Sequence, residues 1–387
     1  MGGFEAFKEM TEEVAEWRHY LHEQPELEYA LHNTARFVAE KLASFGINHI
    51  ETGIAETGIV ALIQGELGEG PTIGLRADMD ALPIVEASGK PWSSKVPGLM
   101  HGCGHDGHTA MLLGAAKYLA ASRNFKGTVA LIFQPAEESG RGGEKMVQEG
   151  IMERFGISQV FGMHNYPGLD IGKFMICSGP IQGGLDDFDL IVKGRGGHAS
   201  TPHHNIDPIV IGAQIIVGLQ ALVARCVDPR EAFVISVTKM HAGDAYNIIP
   251  QTAEISGTVR CIDPHLPAFA EKAIFDVAQG IARGFGAEVE FKYRRLEPIT
   301  VNHEAGTRLA VDAARRLVGA EAVNDRMKPG MGAEDFAYML QARPGAYIFL
   351  GNGATPSVHN PAYDFDDDAL PYGIGYWVSL AEGVLAA

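Results

Sequence analysis

Residues 100–108 read MHGCGHDGH, and no other stretch restricts the possible folds of this chain as much. Three His, one Cys and one Asp are spaced there by Gly, so soft and borderline ligands can converge on a metal ion without crowding. Residues 134–138, QPAEE, add the adjacent pair Glu137 and Glu138. A fold that uses both segments must bring them to one rim. Residues 58–64, 72–75 and 128–133 have strand character, residues 109–122 have helical spacing, and the third strand delivers the Glu pair at its carboxyl end. Alternating strands and helices with chemistry at strand ends predict an α/β fold with an open sheet flanked by helices, its ligand crevice beyond the carboxyl edge.

At 387 residues the chain exceeds the limit of roughly 250 to 300 for a single core, so two domains are expected. Segments 4–20 and 33–45 carry apolar residues at helical spacing, interrupted by Gln24-Pro25 and stopped by Gly46. The texture changes near Gly183-Gly184. Residues 187–192 read as a strand, 207–227 as a helix, 232–240 and 252–259 as strands, 267–285 as a helix and 288–293 as a strand. That βαββαβ order is the ferredoxin-like pattern of an inserted α+β domain. Residues 304–318 and 346–350 return to the style of the first part. The expected division is 1–183 with 299–387 as one domain and 184–298 as the other.

Charge and cysteine usage narrow the function. Lys and Arg total 31 against 48 Asp and Glu, a net charge of −17, which disfavours nucleic acid and anionic membranes. Residues 1–16 are acidic and helix-patterned, without the basic and apolar regions of a signal or transit peptide. No stretch approaches roughly 18 uninterrupted apolar residues. Cys103, Cys177, Cys226 and Cys261 are sparse and scattered, which fits a reducing cytoplasm, and the last three have the apolar neighbours of packing residues.

Cys103 and His105 fall in the Gly-rich loop, Glu138 follows an apolar strand, His164 follows the apolar residues 159–163, and His359 sits in SVHNP. A lone loop His is ordinarily a solvated or capping residue; five donors of this mixed kind are a candidate metal centre. They exceed one tetrahedral site and suit two divalent ions, zinc, manganese, cobalt or nickel, about 3.5–4 Å apart. Adjacent Glu137 and Glu138 divide the work, one as a ligand and one as a base. The implied chemistry is hydrolysis of the two-metal aminopeptidase kind.

Eight segments in order, LRADMDALP (75–83), MHGCGHDGH (100–108), QPAEE (134–138), GMHN (162–165), GGHASTPH (196–203), NIIP (247–250), GAEDF (332–336) and SVHNPAYDF (357–365), resemble the M20 metallopeptidase family. The N-terminal WRHYLHEQPEL (17–27) fits too. More narrowly, the chain resembles the amidohydrolase branch: aminoacylases, hippurate hydrolases and hydrolases of indole-acetyl amino acids.

The resemblance implies a zinc-exopeptidase-like catalytic domain with an open mixed sheet, and an inserted ferredoxin-like lid that also dimerises. It assigns Cys103, His105, Glu138, His164 and His359 as ligands of two metal ions and Glu137 as general base. Asp78 matches an acidic residue that orients a ligand, and Asp106 an important carboxylate. Arg76 stands where the wider family often has a ligand His, as is usual in this branch. His198 and Asn247 match lid residues that bind the oxyanion or substrate carbonyl from the neighbouring subunit.

Three readings outside the ligand set stay open. Arg260 either pairs with a substrate carboxylate or ends a strand at the surface; His203 and His204 are weaker still. Glu334 and Asp335 either support the metal ligands or sit as an acidic pair at a helix start. The expected activity is hydrolysis of N-acyl amino acids, N-acetyl, N-benzoyl or aryl-acetyl, by a cytoplasmic homodimer. The alternatives are a carboxypeptidase or dipeptidase, with Asp80, Glu334 or Asp335 near a substrate ammonium, and a non-catalytic protein that binds an acyl amino acid.

Overall fold

The computed structural model describes residues 2–386. The chain forms two compact units: Met1–Ile181, Val301–Lys328 and Asp335–Ala387 make the first, Gln182–Thr300 and Pro329–Glu334 the second.

The first unit is built on a mixed sheet. Its leading strands are β1 (His49–Ile54), β2 (Gly58–Gln64), β3 (Thr72–Asp78), β4 (Thr128–Gln134) and β5 (Ile157–Tyr166). The order across the sheet is β1-β2-β4-β3-β5, followed by strands Gly345–Gly351, Phe174–Met175 and Val323–Asn324. β3, β4, β5 and Gly345–Gly351 run parallel, so their carboxyl ends open on one edge. The register places Asp78 beside Gln134 and His164 beside Phe349 on that edge. Continuous apolar runs such as Val129 to Phe133, all buried, are what a parallel strand covered on both faces requires.

The second unit has the order strand Gly184–Lys193, helix Pro208–Arg225, strands Phe233–His241 and Thr252–Cys261, helix Leu266–Gly284, strand Glu288–Glu297. Its four strands are antiparallel, and the first in sequence is flanked by the third and fourth. That is the ferredoxin-like arrangement. Asp207 starts the first helix by accepting the Ile209 and Val210 N–H groups, with Pro208 at the first helical position. Ile211, Ile215, Leu219 and Leu222 of that helix enter the core at steps of four, four and three residues. This helix is also the one span among the described residues long and apolar enough to cross a membrane by length and composition; only a third of it is buried in this unit. The run escaped the sequence reading because Gln214 and Gln220 interrupt it.

Several element boundaries differ from expectation. The helix expected at 109–122 starts at His105, so His105, Asp106 and His108 lie on its first turn and not in a loop. Gly104, at φ +92°, makes the turn, and an added Cβ there would sit 2.4 Å from Asn165 Nδ2. His164 lies within β5, and the segment 4–20 is two helices, Gly2–Glu9 and Thr11–Glu23. Cys177 and Cys261 are buried as expected, but Cys226 is exposed because the helix ends at Arg225.

Helix Thr11–Glu23 is clamped to the first unit by buried charge. Arg18 Nη1 reaches Asp364 at 3.0 Å and Asp106 at 3.4 Å, and its Nε reaches Asp367 at 2.7 Å. His22 gives Nδ1–H to Asp106 at 2.8 Å and Nε2–H to Glu86 at 3.3 Å, so it carries both protons. Burial opposes the charge, but the two carboxylates hold the His22 pKa up at about 9. For Glu86, burial is outweighed by hydrogen bonds from His22, Ser88 and the Ser94 N–H, and its pKa falls to about 2.

The linkage has a definite sign. The His22 contribution is fully present below its ordinary pKa of 6.5 and is lost as pH rises through about 9; that of Glu86 is present above 4.5 and lost as pH falls toward about 2. Replacing His22 by Gln is expected to cost about 3 kcal/mol at pH 6, the scale of a broken buried ion pair. Urea midpoints for wild type and His22→Gln should converge as pH passes 9; a gap independent of pH would show that His22 is neutral in the fold.

Candidate active site

The open edge of the sheet gathers four carboxylates. Asp78 ends β3, Asp80 follows two residues later, and Glu137 and Glu138 follow β4 after Pro135 and Ala136. Ala136 is buried with φ +55°, a conformation disfavoured for a residue with a Cβ. It turns the chain so that consecutive carboxylates serve one site: Glu137, Glu138 and His105 place one donor atom each within 4.8 Å of the others. His359 is likewise held at φ +64°, its N–H given to the Gly102 carbonyl at 2.7 Å. Strain of this kind persists only where the surroundings impose it.

Five donors form two triads that share one atom. Cys103, His105 and His164 make the first; Cys103, Glu138 and His359 make the second. Cys103 Sγ lies 3.3 Å from His164 Nε2, and Glu138 Oε1 lies 3.3 Å from His359 Nε2. His164 gives Nδ1–H to the Asn165 carbonyl at 2.7 Å, and His105 gives its own to the Asp80 carbonyl at 2.8 Å. Both imidazoles therefore turn Nε2 inward, and that of His105 is buried without a hydrogen-bond partner.

Electrostatics say what belongs there. Burial lowers the basicity of His105, yet Asp78, Asp80 and Glu138 raise its pKa to about 10. Burial first, then Glu138, Glu137 and Asp78, push the Cys103 thiol well above its ordinary value. Burial and the neighbouring His108 hold His164 neutral. A buried excess of negative charge, a bare imidazole nitrogen and a mixed sulfur, nitrogen and oxygen donor set fit divalent metal ions.

A third group, Asp78, His105 and His108, also lies within ligand distance. It is closed at His108, whose Nδ1–H goes to Asp78 at 2.6 Å while Nε2 accepts the Asn165 N–H at 3.0 Å. The other Asp78 oxygen is taken by Arg76 at 2.7 Å. Arg76, fully buried, spreads its fork further, to Gln134 at 2.8 Å and Asp335 at 3.0 Å. Asp335 also accepts from Gln134 Nε2 and the Gly143 N–H. Asp335 also stands at the start of helix Phe336–Ala342, but its side chain caps no N–H there and is engaged by Arg76, Gln134 and Gly143. Asn165 holds the metal loop by donating to the Cys103 carbonyl at 2.6 Å and accepting from Tyr363 at 2.8 Å.

Asp106 lies in the Arg18 and His22 clamp. The sequence does not mark Asn165, Gln134 or Tyr363 as functional; Asn165 in GMHN and Gln134 in QPAEE are polar residues at strand ends inside motifs, the signal that points to them.

His198 and Asn247 belong to the second unit and are neighbours there. Gly197–His198 forms a short strand with Ile248–Ile249, and the Asn247 carbonyl accepts from the Ala199 N–H at 3.0 Å. Both side chains are exposed, and Ser200 Oγ lies 2.8 Å from His198 Nδ1. Arg260 sits half-buried on strand Thr252–Cys261, opposite Leu185 and Val234. His203 and His204 occupy the single turn Pro202–His204.

An α/β sheet with such a donor set at its carboxyl edge defines a metal-dependent hydrolase. Residues 74–383 match the model of peptidase family M20/M25/M40. The chain is 40% identical over 369 residues to N-acetylcysteine deacetylase of Bacillus subtilis, covering 95% of this chain and 96% of the relative. It is 40% identical over 364 residues to hippurate hydrolase of Campylobacter jejuni, covering 94% of each. A crystal structure from Bacillus subtilis, described as a dinuclear metal binding peptidase from the M20 family, superposes with a TM-score of 0.86 at 37% identity over 98% of this chain and 99% of that one. The chain belongs to peptidase family M20/M25/M40, in its amidohydrolase branch, and is a metal-dependent amidohydrolase.

Metal uptake should release protons, because Cys103 and His105 are protonated in the metal-free protein at neutral pH and must lose those protons to ligate. Affinity is expected to rise with pH by about tenfold per unit for each proton released. Calorimetric titrations in buffers of different ionisation heat measure the number; a heat independent of buffer would contradict the assignment.

Proposed function

We propose that the protein hydrolyses the amide bond of N-acyl amino acids with two divalent metal ions, releasing a carboxylic acid and a free amino acid. The observation that carries this reading is the sharing of Cys103 between two donor triads with Glu137 alongside. His105, His164 and Cys103 would hold one ion, Glu138, His359 and Cys103 the other. When bound, the ions supply Lewis acidity toward water and the substrate carbonyl.

Glu137 takes the proton of the attacking water and returns it to the leaving nitrogen. Asp78, pinned by Arg76 and His108, supplies fixed negative charge beside His105. His198 and Asn247 offer donors to the oxyanion or carbonyl, where charge develops in the transition state. Arg260 offers a guanidinium to the substrate carboxylate. In this reading the second unit is a lid and dimerisation domain, as supported by the exposed apolar Ile209, Val210 and Val217 on helix Pro208–Arg225.

The test is amino-acid release from N-acetyl, N-benzoyl and indole-acetyl amino acids and from dipeptides, by metal-stripped protein with Mn²⁺, Zn²⁺ or Co²⁺ restored. Glu137→Ala should bind metal normally and lose about 10²- to 10⁴-fold in kcat. His198→Ala should lose about 10²- to 10³-fold with unchanged metal content. Cleavage of dipeptides with silence toward every acyl substrate would replace this reading with a carboxypeptidase or dipeptidase one.

A further inference from the structure

Asp80 is the carboxylate of the 75–83 motif that the reaction above leaves unused, and the structure spends it on the metal ligands. It is buried, 1% exposed. Its Oδ2 accepts the Glu138 N–H at 3.0 Å. Its carbonyl accepts the Nδ1–H of His105 at 2.8 Å, and its Oδ1 lies 3.3 Å from the same nitrogen. One residue therefore grips a donor of each triad, His105 through the ring and Glu138 through the main chain. Asp78, by contrast, meets His105 only on the Nε2 side, at 3.7 Å, with its own oxygens engaged by His108 and Arg76.

The backbone of Asp80 is itself fixed. The next residue, Ala81, gives its N–H to the Glu26 carbonyl at 2.9 Å, and Leu82 exchanges hydrogen bonds with Met100 in both directions. The segment that carries Asp80 is thus tied to the segment that leads into Cys103. Of the carboxylate oxygens, Oδ2 is hydrogen-bonded and Oδ1 is buried without a hydrogen-bond partner beside the His105 ring.

We propose that Asp80 is a positioning residue of the dinuclear centre: its carboxylate, tied to the Glu138 N–H and set beside His105 Nδ1, fixes the separation between His105 and Glu138, donors of the two triads, while its main-chain carbonyl holds the His105 Nδ1–H. This rests on the two-metal reading. Its role is separate from that of Glu137, since Asp80 acts through the ligands and touches no reacting atom. Replacement by Asn keeps the shape and one acceptor for the Glu138 N–H but removes the charge beside His105. Replacement by Ala removes both, and either variant keeps the main-chain carbonyl at His105 Nδ1, so the pair reads the carboxylate alone.

The experiment is titration of Co²⁺ into metal-stripped, full-length wild type, Asp80→Asn and Asp80→Ala, reading affinity, stoichiometry and the cobalt and thiolate-to-cobalt absorption bands, beside the urea midpoint of each metal-free protein. Wild type should take up two ions. Asp80→Ala should bind about 10- to 100-fold more weakly, the usual cost of losing a residue that orients a ligand, with altered bands, and Asp80→Asn should fall between them. Wild-type affinity and bands in both variants would overturn the positioning role while leaving the centre intact. Lower metal-free stability with wild-type bands and affinity would overturn it too, by making Asp80 merely structural. Wild type that takes up no cobalt would overturn the two-metal reading and the role of Asp80 together.

Discussion

Four carboxylates withdrawn from water at one sheet edge set the terms for the rest of this structure. Asp78, Asp80, Glu137 and Glu138 sit beyond the parallel strands β3 and β4, where isolated negative charge is costly. Three of them are answered in different ways. Asp78 pairs with Arg76 and accepts from His108, Asp80 accepts the Glu138 N–H beside the His105 ring, and Glu138 faces His359. The charge left over surrounds Cys103 and the inward nitrogen of His105, a setting that fits divalent cations.

Arg76 shows how one residue type changes the logic of a site. A histidine there would compete for a metal ion; the guanidinium instead engages Asp78, Gln134 and Asp335 and is spent. Its rigid fork suits three planar acceptors in a way a lysine would not. Cys103, with a large soft sulfur atom common to two triads, then takes the central position. A second buried charge cluster, Arg18 and His22 with Asp106, Asp364 and Glu86, anchors the N-terminal helix to the first turn of helix His105–Ser122. The ligand His105 and the clamp residue Asp106 are adjacent, so the metal loop and the N-terminal helix share one foundation.

Much of this was legible in the residues. The α/β pattern, the ferredoxin-like insertion and the five donors followed from periodicity, Gly spacing and strand-end placement. The helix start at His105 was not, because it depends on a left-handed Gly104 packed against Asn165, a contact 61 residues away in sequence. The ring protons were not either: which nitrogen of His105, His108 or His164 faces the centre is set by Asp80, Asn165 and the register of β3, β4 and β5. Asp78 and Asp80 look interchangeable in RADMD; only the end of β3 at Asp78, which leaves Asp80 beyond the strand, separates their partners. Asp335 joins Arg76 across 259 positions, and no local pattern reports such a pairing.

The central claim is that Cys103 is common to two metal sites. The most direct test is anomalous diffraction from crystals of the protein loaded with Zn²⁺ or Mn²⁺. The account predicts two peaks about 3.5–4 Å apart, both within bonding reach of Cys103 Sγ, one beside His105 and His164 and the other beside Glu138 and His359. A single peak, or a peak between Asp78 and His108, would contradict it.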